Sequence, residues 1–164
     1  QQNFQKAVDA TTGADSLFNL ALKGEKGKIG FIEIADKYSG TAAGNLANYY
    51  AGIAYLNTGK YTEAIASLED FKSDDTMLSV LAVGAIGDAY AQKKQQNEAL
   101  AQYVKASEMN KNDLTTPRFL LKAGQTCLAL NKKEDALKYF TEIKEKYESS
   151  PEGGTIDALI GLAQ

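Results

Sequence analysis

Three glycines recur along this chain, each preceded by an apolar residue and followed by similar residues at fixed distances. Gly52 is followed by Tyr55, Ala64, Leu68 and Phe71. Gly87 is followed at the same offsets by Tyr90, Ala99, Tyr103 and Ala106, and Gly124 by Cys127, Ala136, Phe140 and Ile143. The residues ahead of them are Ala51, Ile86 and Ala123, and the glycines stand 35 and 37 residues apart. A repeat of this length is one supersecondary unit that buries its apolar face only by stacking on its neighbours. At a common offset of 109, Ile34 to Tyr38 matches Ile143 to Tyr147, and Gly52-Ile53-Ala54 matches Gly161-Leu162-Ala163. Gly161 is therefore the next glycine of the series, and the given residues end after the first helix of a fourth unit. Counting back, Gly27, Phe31 and Ile34 correspond to Ala136, Phe140 and Ile143, which makes residues 25–38 the expected second helix of an earlier, degenerate unit.

Within each unit the apolar spacing is helical. Leu78, Leu81, Ala82, Ala85, Ile86, Ala89 and Tyr90 share one face, as do Ala99, Leu100, Tyr103, Val104 and Ala106. Two prolines in 164 residues, with abundant Ala, Leu, Lys and Glu, favour helix throughout. The breaks carry turn chemistry: Gly59 ends one helix, Thr115-Thr116-Pro117 supplies a cap and a first-turn proline, Asp75 is a further cap, and Asn131 with Glu134 reads as a capping-box variant. Antiparallel helix pairs are expected near 41–57/61–72, 77–92/96–109 and 117–130/133–147, with a closing helix near 154–163. The small residues Gly52, Gly87 and Gly124, with Ala64, Ala99 and Ala136, leave room where paired helices approach most closely. Tyr55, Leu68, Tyr90, Tyr103 and Phe140 fill the space between those points.

Composition narrows the chemistry. The chain has no His and a single Cys, Cys127, which excludes histidine acid/base catalysis, His-ligated metal, an intrachain disulfide and Cys-cluster metal sites. Its net charge of −3 argues against nucleic acid as a partner. No run of about 18 apolar residues is present, the best stretch being 77–86, so no segment is expected to cross a bilayer. The chain begins at Gln1 rather than Met, and a processed product is expected, with any targeting segment or anchor ahead of it.

The small pair ahead of Tyr55, followed by Gly59-Lys60-Tyr61-Thr62-Glu63-Ala64, resembles the tetratricopeptide repeat. The likeness covers residues 25–164. It departs from the general pattern in placing Asn48, Val83 and Leu120 where a Trp usually stands, and in lacking the late proline except for Pro151, which comes slightly late. The implied fold is an all-α superhelix of antiparallel helix pairs, an α-α solenoid. It would comprise an N-terminal segment and degenerate unit over residues 1–40, three full units over 41–150, and a half-repeat capping helix over 151–164. Residues 31–47, Phe-Ile-Glu-Ile-Ala-Asp-Lys-Tyr-Ser-Gly-Thr-Ala-Ala-Gly-Asn-Leu-Ala, resemble bacterial cell-envelope members of that family. The chain is similar to the soluble part of single-pass proteins of Bacteroidetes type, themselves similar to ancillary subunits of the Sec translocon. That resemblance implies a place on the periplasmic face of a membrane and an upstream anchoring helix; the residues themselves leave the cytoplasm open.

The family resemblance implies a concave groove lined by the first helix of each pair, where peptides or partner helices bind. By helical spacing, the residues turned toward it are Leu46, Tyr49, Tyr50, Ile53, Leu56 and Asn57 in the first full unit. Leu81, Gly84, Asp88 and Gln92 follow in the second, and Arg118, Leu121, Lys122, Gln125 and Leu128 in the third. Such a surface is apolar and aromatic with cations at one end, and suits a peptide or partner helix. Equally, these side chains could pack on the N-terminal segment or on a second copy. The carboxylate clamp of chaperone-binding relatives is not expected: Arg118 and Lys122 could supply its third part, but Tyr49 and Ile53 stand where Lys and Asn are needed. Cys127 occupies the packing position of Tyr55 and Tyr90. Gly24-Glu25-Lys26-Gly27-Lys28-Ile29-Gly30 matches no phosphate-loop spacing and reads as a helix-to-helix turn with a glycine-weakened second helix. Asp74-Asp75, Lys93-Lys94 and Lys132-Lys133 are expected loop charges. Phe4, Ala7 and Val8, then Leu17, Phe18, Leu20 and Ala21, suggest two short helices broken at Thr11-Thr12-Gly13, covering the first unit or forming a membrane-proximal stalk.

The expected function is a non-enzymatic protein-interaction module, a cell-envelope adaptor, with no catalytic residues, cofactor or metal. The alternatives are a structural or oligomerisation module using the same apolar residues, and the regulatory domain of an enzyme whose catalytic part lies elsewhere. The expected partner is a protein or peptide.

Overall fold

The computed structural model describes residues 2–164, and their side chains from residue 13 onward. It divides into two compact units, residues 1–72 and 73–164. In the first unit, α1 (Gln2–Lys23) leads through a two-residue hairpin, β1 (Gly24–Glu25) and β2 (Lys28–Ile29), into α2 (Phe31–Lys37), α3 (Ala42–Asn57) and α4 (Tyr61–Asp70). In the second, α5 (Thr76–Gln92), α6 (Gln96–Met109), α7 (Thr116–Ala129) and α8 (Lys133–Lys146) are followed by a 3₁₀ turn, Gly153–Thr155, and α9 (Ile156–Ala163). Each helix packs on the next within its unit: α2 on α3 and α3 on α4 in the first, and α5 through α9 in succession in the second. Within each unit this is the stacking of antiparallel helix pairs expected of an all-α solenoid, with the pair boundaries close to those expected.

The glycine rule has a direct steric cause. A Cβ on Gly52 would lie 2.5 Å from Leu68 Cγ, one on Gly87 2.6 Å from Tyr103 Cε1, and one on Gly124 2.3 Å from Phe140 Cε1. Ordinary carbon contacts are about 3.5–4.0 Å, so each glycine is the hole into which its partner's bulky side chain fits. Ala64, Ala99 and Ala136 are fully buried at the same crossings. The second unit holds a core of Val80, Ala99, Tyr103, Ala106, Phe119 and Ala123, and another built on Leu120, Cys127, Phe140, Ile143, Tyr147 and Ile156.

The turns inside each pair share one geometry. Gly59, Lys94 and Asn131 all have positive φ, and the next backbone N–H donates back to the carbonyl of Tyr55, Tyr90 and Cys127 respectively. Such left-handed residues close a helix C-terminus by satisfying its last carbonyls. Asn131 is thus the terminator of α7, not part of a capping box for α8, whose N-cap is Lys132 without a side-chain bond. Thr115 is the N-cap of α7 by position only. Its hydroxyl accepts from Asn112 Nδ2 at 2.8 Å, while Pro117 fills the first turn as expected. Asp75 does cap α5, accepting from the N–H of Met77 at 2.8 Å and of Leu78 at 3.1 Å.

The N-terminal region departs further from expectation. Residues 24–29 form a hairpin rather than a helix, because Gly24 and Gly27 adopt positive φ and the Gly30 backbone presses on Leu22 and Gly24 too closely for any side chain. The degenerate second helix is therefore only α2. Instead of two short helices, α1 runs unbroken through Thr11-Thr12-Gly13; an interior glycine costs about 1 kcal/mol, which extending an already formed helix absorbs. The side chains of Phe4, Ala7 and Val8 lie outside the described residues. Phe18 and Leu22 pack against Ala51 and Ala54 of α3, while Leu17 and Leu20 remain exposed. Among the described residues, no helix is long and apolar enough to cross a membrane.

Candidate functional site

The first helix of each pair has one face committed to packing. In α3, Ala47, Ala51 and Ala54 are buried, Ala51 and Ala54 against Leu22 of α1, and Gly52 lies under Leu68 of α4. The remaining side is apolar. Leu46 is 40% and Tyr50 46% exposed, and Tyr49, Ile53 and Leu56 are half-buried. Asn57 is exposed, but its amide donates back to the Ile53 carbonyl at 2.8 Å.

The two tyrosines are held by other rings. Tyr50 stacks on Phe31 of α2 with centroids 5.4 Å apart and planes 23° apart, and meets Tyr49 edge-on at 5.4 Å. Tyr49 in turn packs on Phe71, which follows α4, at 5.1 Å. Burial, and secondarily the neighbouring Tyr50, push the Tyr49 phenol above its ordinary range. Offset and edge-to-face ring contacts add rigidity beyond the area they bury. Phe31 and Phe71, which the helical-face assignment left out, fix the two tyrosines; Phe71 was visible only as the last member of the Gly52 repeat series.

The second unit offers a different surface. Gly84 is buried, and a Cβ there would fall 2.1 Å from two ring carbons of Phe119, so this residue is a packing position under α7 with no surface to present. Asp88 and Lys122, assigned to separate helices 34 residues apart, are brought together: Lys122 Nζ lies 2.5 Å from Asp88 Oδ1. The Tyr103 hydroxyl of α6 donates to the same carboxylate oxygen at 2.7 Å, and Lys122 Nζ stands 5.4 Å from the Tyr103 ring centroid. Burial first, then the Asp88 charge and hydrogen bond, raise the Tyr103 phenol far above its usual range. The expected cationic end is accordingly half-neutralised. Arg118 is exposed, and among the described residues no carboxylate pairs with it. Leu121 and Leu128 are partly buried against the α7–α8 core, Leu81 is half-buried, and Gln92 and Gln125 are exposed.

Cys127 is fully buried, and burial together with Asp135 pushes its thiol pKa up, which disfavours the reactive thiolate. Two hollows lie in the first unit, away from Tyr49 and Tyr50. One, of about 580 Å³, is lined by Ser39, Thr41, Asn45, Asn48, Asp70 and Lys72; the other, of about 300 Å³, by Asp36, Asn48, Tyr55 and Asp70 among others. Asn45 spans one rim, bonding both the carbonyl and the N–H of Lys72, so its amide is already used. Among the described residues no group of three or more His, Cys, Asp or Glu is placed to hold a metal ion.

The tetratricopeptide repeat family matches residues 82–113, the span that contains Gly84, Gly87, Asp88, Ala99 and Tyr103. No curated protein and no solved structure matches the chain. Repeats of this family generally mediate protein–protein interaction and are typically non-catalytic. The match covers one repeat, and the same glycine-to-bulky-residue crossing recurs outside it at Gly52 and at Gly124.

Proposed function

We propose that this chain is a non-enzymatic interaction module that binds a peptide segment or a partner helix on the exposed faces of its first helices. The observation that carries the reading is Tyr50: it is 46% exposed, yet held from behind by Phe31 and from the side by Tyr49. A ring already fixed in place loses little freedom on binding, which is why aromatic anchors dominate interface energetics. Leu46, one helical turn away and 40% exposed, extends the same patch. The ligand chemistry at α3 is apolar. A role as a cell-envelope adaptor draws on the resemblance of residues 31–47 to that group.

The test is crosslinking capture from native envelopes, comparing the parent chain with a Leu46→Glu/Tyr50→Glu variant whose helicity and melting are first matched to the parent. Both positions are partly exposed, whereas Tyr49 is wedged on Phe71 and its replacement would perturb the fold. Partners captured by the parent and lost by the variant support the reading. Identical capture by both refutes it. A concentration-dependent dimer abolished by the variant would assign the patch to a second copy of the chain instead.

A further inference from the structure

The step of 72 residues that carries Gly52 onto Gly124 also carries α2, α3 and α4 onto α6, α7 and α8. In that register Asp36 corresponds to Glu108, Asp70 to Glu142 and Ser39 to Lys111. Each place therefore has two carboxylates, one from the second helix of a pair and one from the second helix of the pair before it. In the later place a cation joins them. Lys111 Nζ lies 3.0 Å from Glu108 Oε2 of α6 and 4.0 Å from Glu142 Oε1 of α8.

The earlier place has the acids without the cation. Ser39 brings no charge, and among the described residues neither Asp36 nor Asp70 is in an ion pair. Both aspartates line the hollow of about 300 Å³, together with Ser39, Asn48, Tyr55 and Ser67. No Lys or Arg lines it. Lys72 lines the larger hollow, but its ammonium donates to the Glu69 carbonyl at 2.7 Å. Asn48, which lines both hollows, marks the same difference. Its counterpart Leu120 is 1% exposed in an apolar core, whereas the Asn48 amide is half-buried and has no hydrogen-bond partner among the described residues.

We propose that the hollow between α2, α3 and α4 binds an alkylammonium group, from a partner's lysine side chain or a free amine, held between Asp36 and Asp70 as Lys111 is held between Glu108 and Glu142. An ammonium has three protons to donate; the Asn48 amide oxygen and the Ser39 and Ser67 hydroxyls are further acceptors in the lining. The site is separate from the Tyr50 surface, and the inference does not depend on it.

The probe is Nα-acetyl-lysine methylamide, whose only cation is its side-chain ammonium. It is titrated into the isotope-labelled full chain, and the amide resonances of Ser39 and Asn48 are followed; the norleucine analogue is the uncharged control. Ion pairs between partly exposed groups are individually weak, so a Kd of about 1–10 mM is expected, rising with salt. Ser39→Lys installs the cation of the later place at an exposed position and should abolish binding. Asp36→Asn/Asp70→Asn removes the charges at nearly constant shape and should weaken binding at least about tenfold. Both variants are first matched to the parent in helicity and melting. Absence of saturation up to about 100 mM, an equal response to the norleucine analogue, or parental affinity in either variant overturns the proposal. A parallel titration with the diamine cadaverine separates the two sources. Tighter binding of the lysine amide assigns the site to a partner's side chain, and tighter binding of the diamine assigns it to a free amine.

Discussion

Replacing Gly124 by Ala sets two opposed effects against each other, and the structure decides which wins. Alanine is the better helix former by about 1 kcal/mol, so on propensity alone the variant is more stable. The new methyl, however, would stand 2.3, 2.8 and 2.8 Å from three ring carbons of Phe140. Relief requires the ring to withdraw by about 1 Å, since ordinary contact begins near 3.5 Å. Phe140 is fully buried in the core with Leu120, Cys127, Ala136 and Ile143, so it has nowhere to go without disturbing them. Overpacking of this kind costs about 1–3 kcal/mol, and the crowding of a rigid ring by three contacts favours the upper half of that range. The expected net loss is about 1–2 kcal/mol, a fall of roughly 2–8 °C in melting temperature for a chain of this size. Gly161→Ala is the matched control, with open space at the same repeat position and a small gain of at most about 1 kcal/mol. Urea unfolding followed by helical circular dichroism reads both. In a Phe140→Leu background the Gly124→Ala penalty should shrink, because a smaller, more flexible side chain yields to the methyl. A Gly124→Ala chain as stable as the parent would refute the claim that this glycine is kept for the room it leaves.

Asp75→Ala removes two bonds to the start of α5 and should cost about 1 kcal/mol in urea unfolding, while Asp75→Asn, still able to cap, should cost less. Tyr103→Phe removes the hydroxyl bond to Asp88 and should cost about 1 kcal/mol at neutral pH. The pH dependence separates the two chains further. The raised Tyr103 pKa means the folded chain keeps a proton that the unfolded chain releases from about pH 10, so the parent's stability falls as pH rises through that range. Urea midpoints measured from pH 8 to 11 should therefore fall less steeply for Tyr103→Phe. Cys127 should react with a thiol reagent only after unfolding, given its full burial and raised pKa; fast labelling of the native chain would contradict its packing role.

The repeat was legible because its cause is local and steric: a missing Cβ on one helix and a bulky side chain sixteen residues later leave a mark at fixed spacing. The hairpin at residues 24–29 was not legible by the same means. Gly27 falls at a repeat-like offset, which draws residues 25–38 into one expected helix, although the run Gly24 to Gly30 also reads as a helix-to-helix turn, and a turn closed by positive-φ glycines is what it is. Asn131 illustrates a related ambiguity. Polar residues favour both ends of helices, and only the comparison with Gly59 and Lys94, which hold the same left-handed conformation in the equivalent turns, identifies it as a terminator.

The candidate surface was legible residue by residue but not in its pairings. Helical spacing placed Tyr50 and Leu46 on the free side of α3, where they are partly exposed. It placed Gly84 there as well, because the angular position of a residue says nothing about a ring arriving from the next first helix; Phe119 does arrive, and covers it. The same limit hid the Asp88–Lys122 pair. A charge on α5 and a charge on α7 are unrelated along the chain, and become neighbours only through the stacking of one repeat on the next. Tyr103 ties that stacking to the repeat rule itself, since one side chain fills the Gly87 hole with its ring and holds the Asp88 carboxylate with its hydroxyl. The residue that fills the Gly87 hole thus also helps to hold the Asp88–Lys122 pair in place, so changes at Tyr103 should loosen the packing and that pair together.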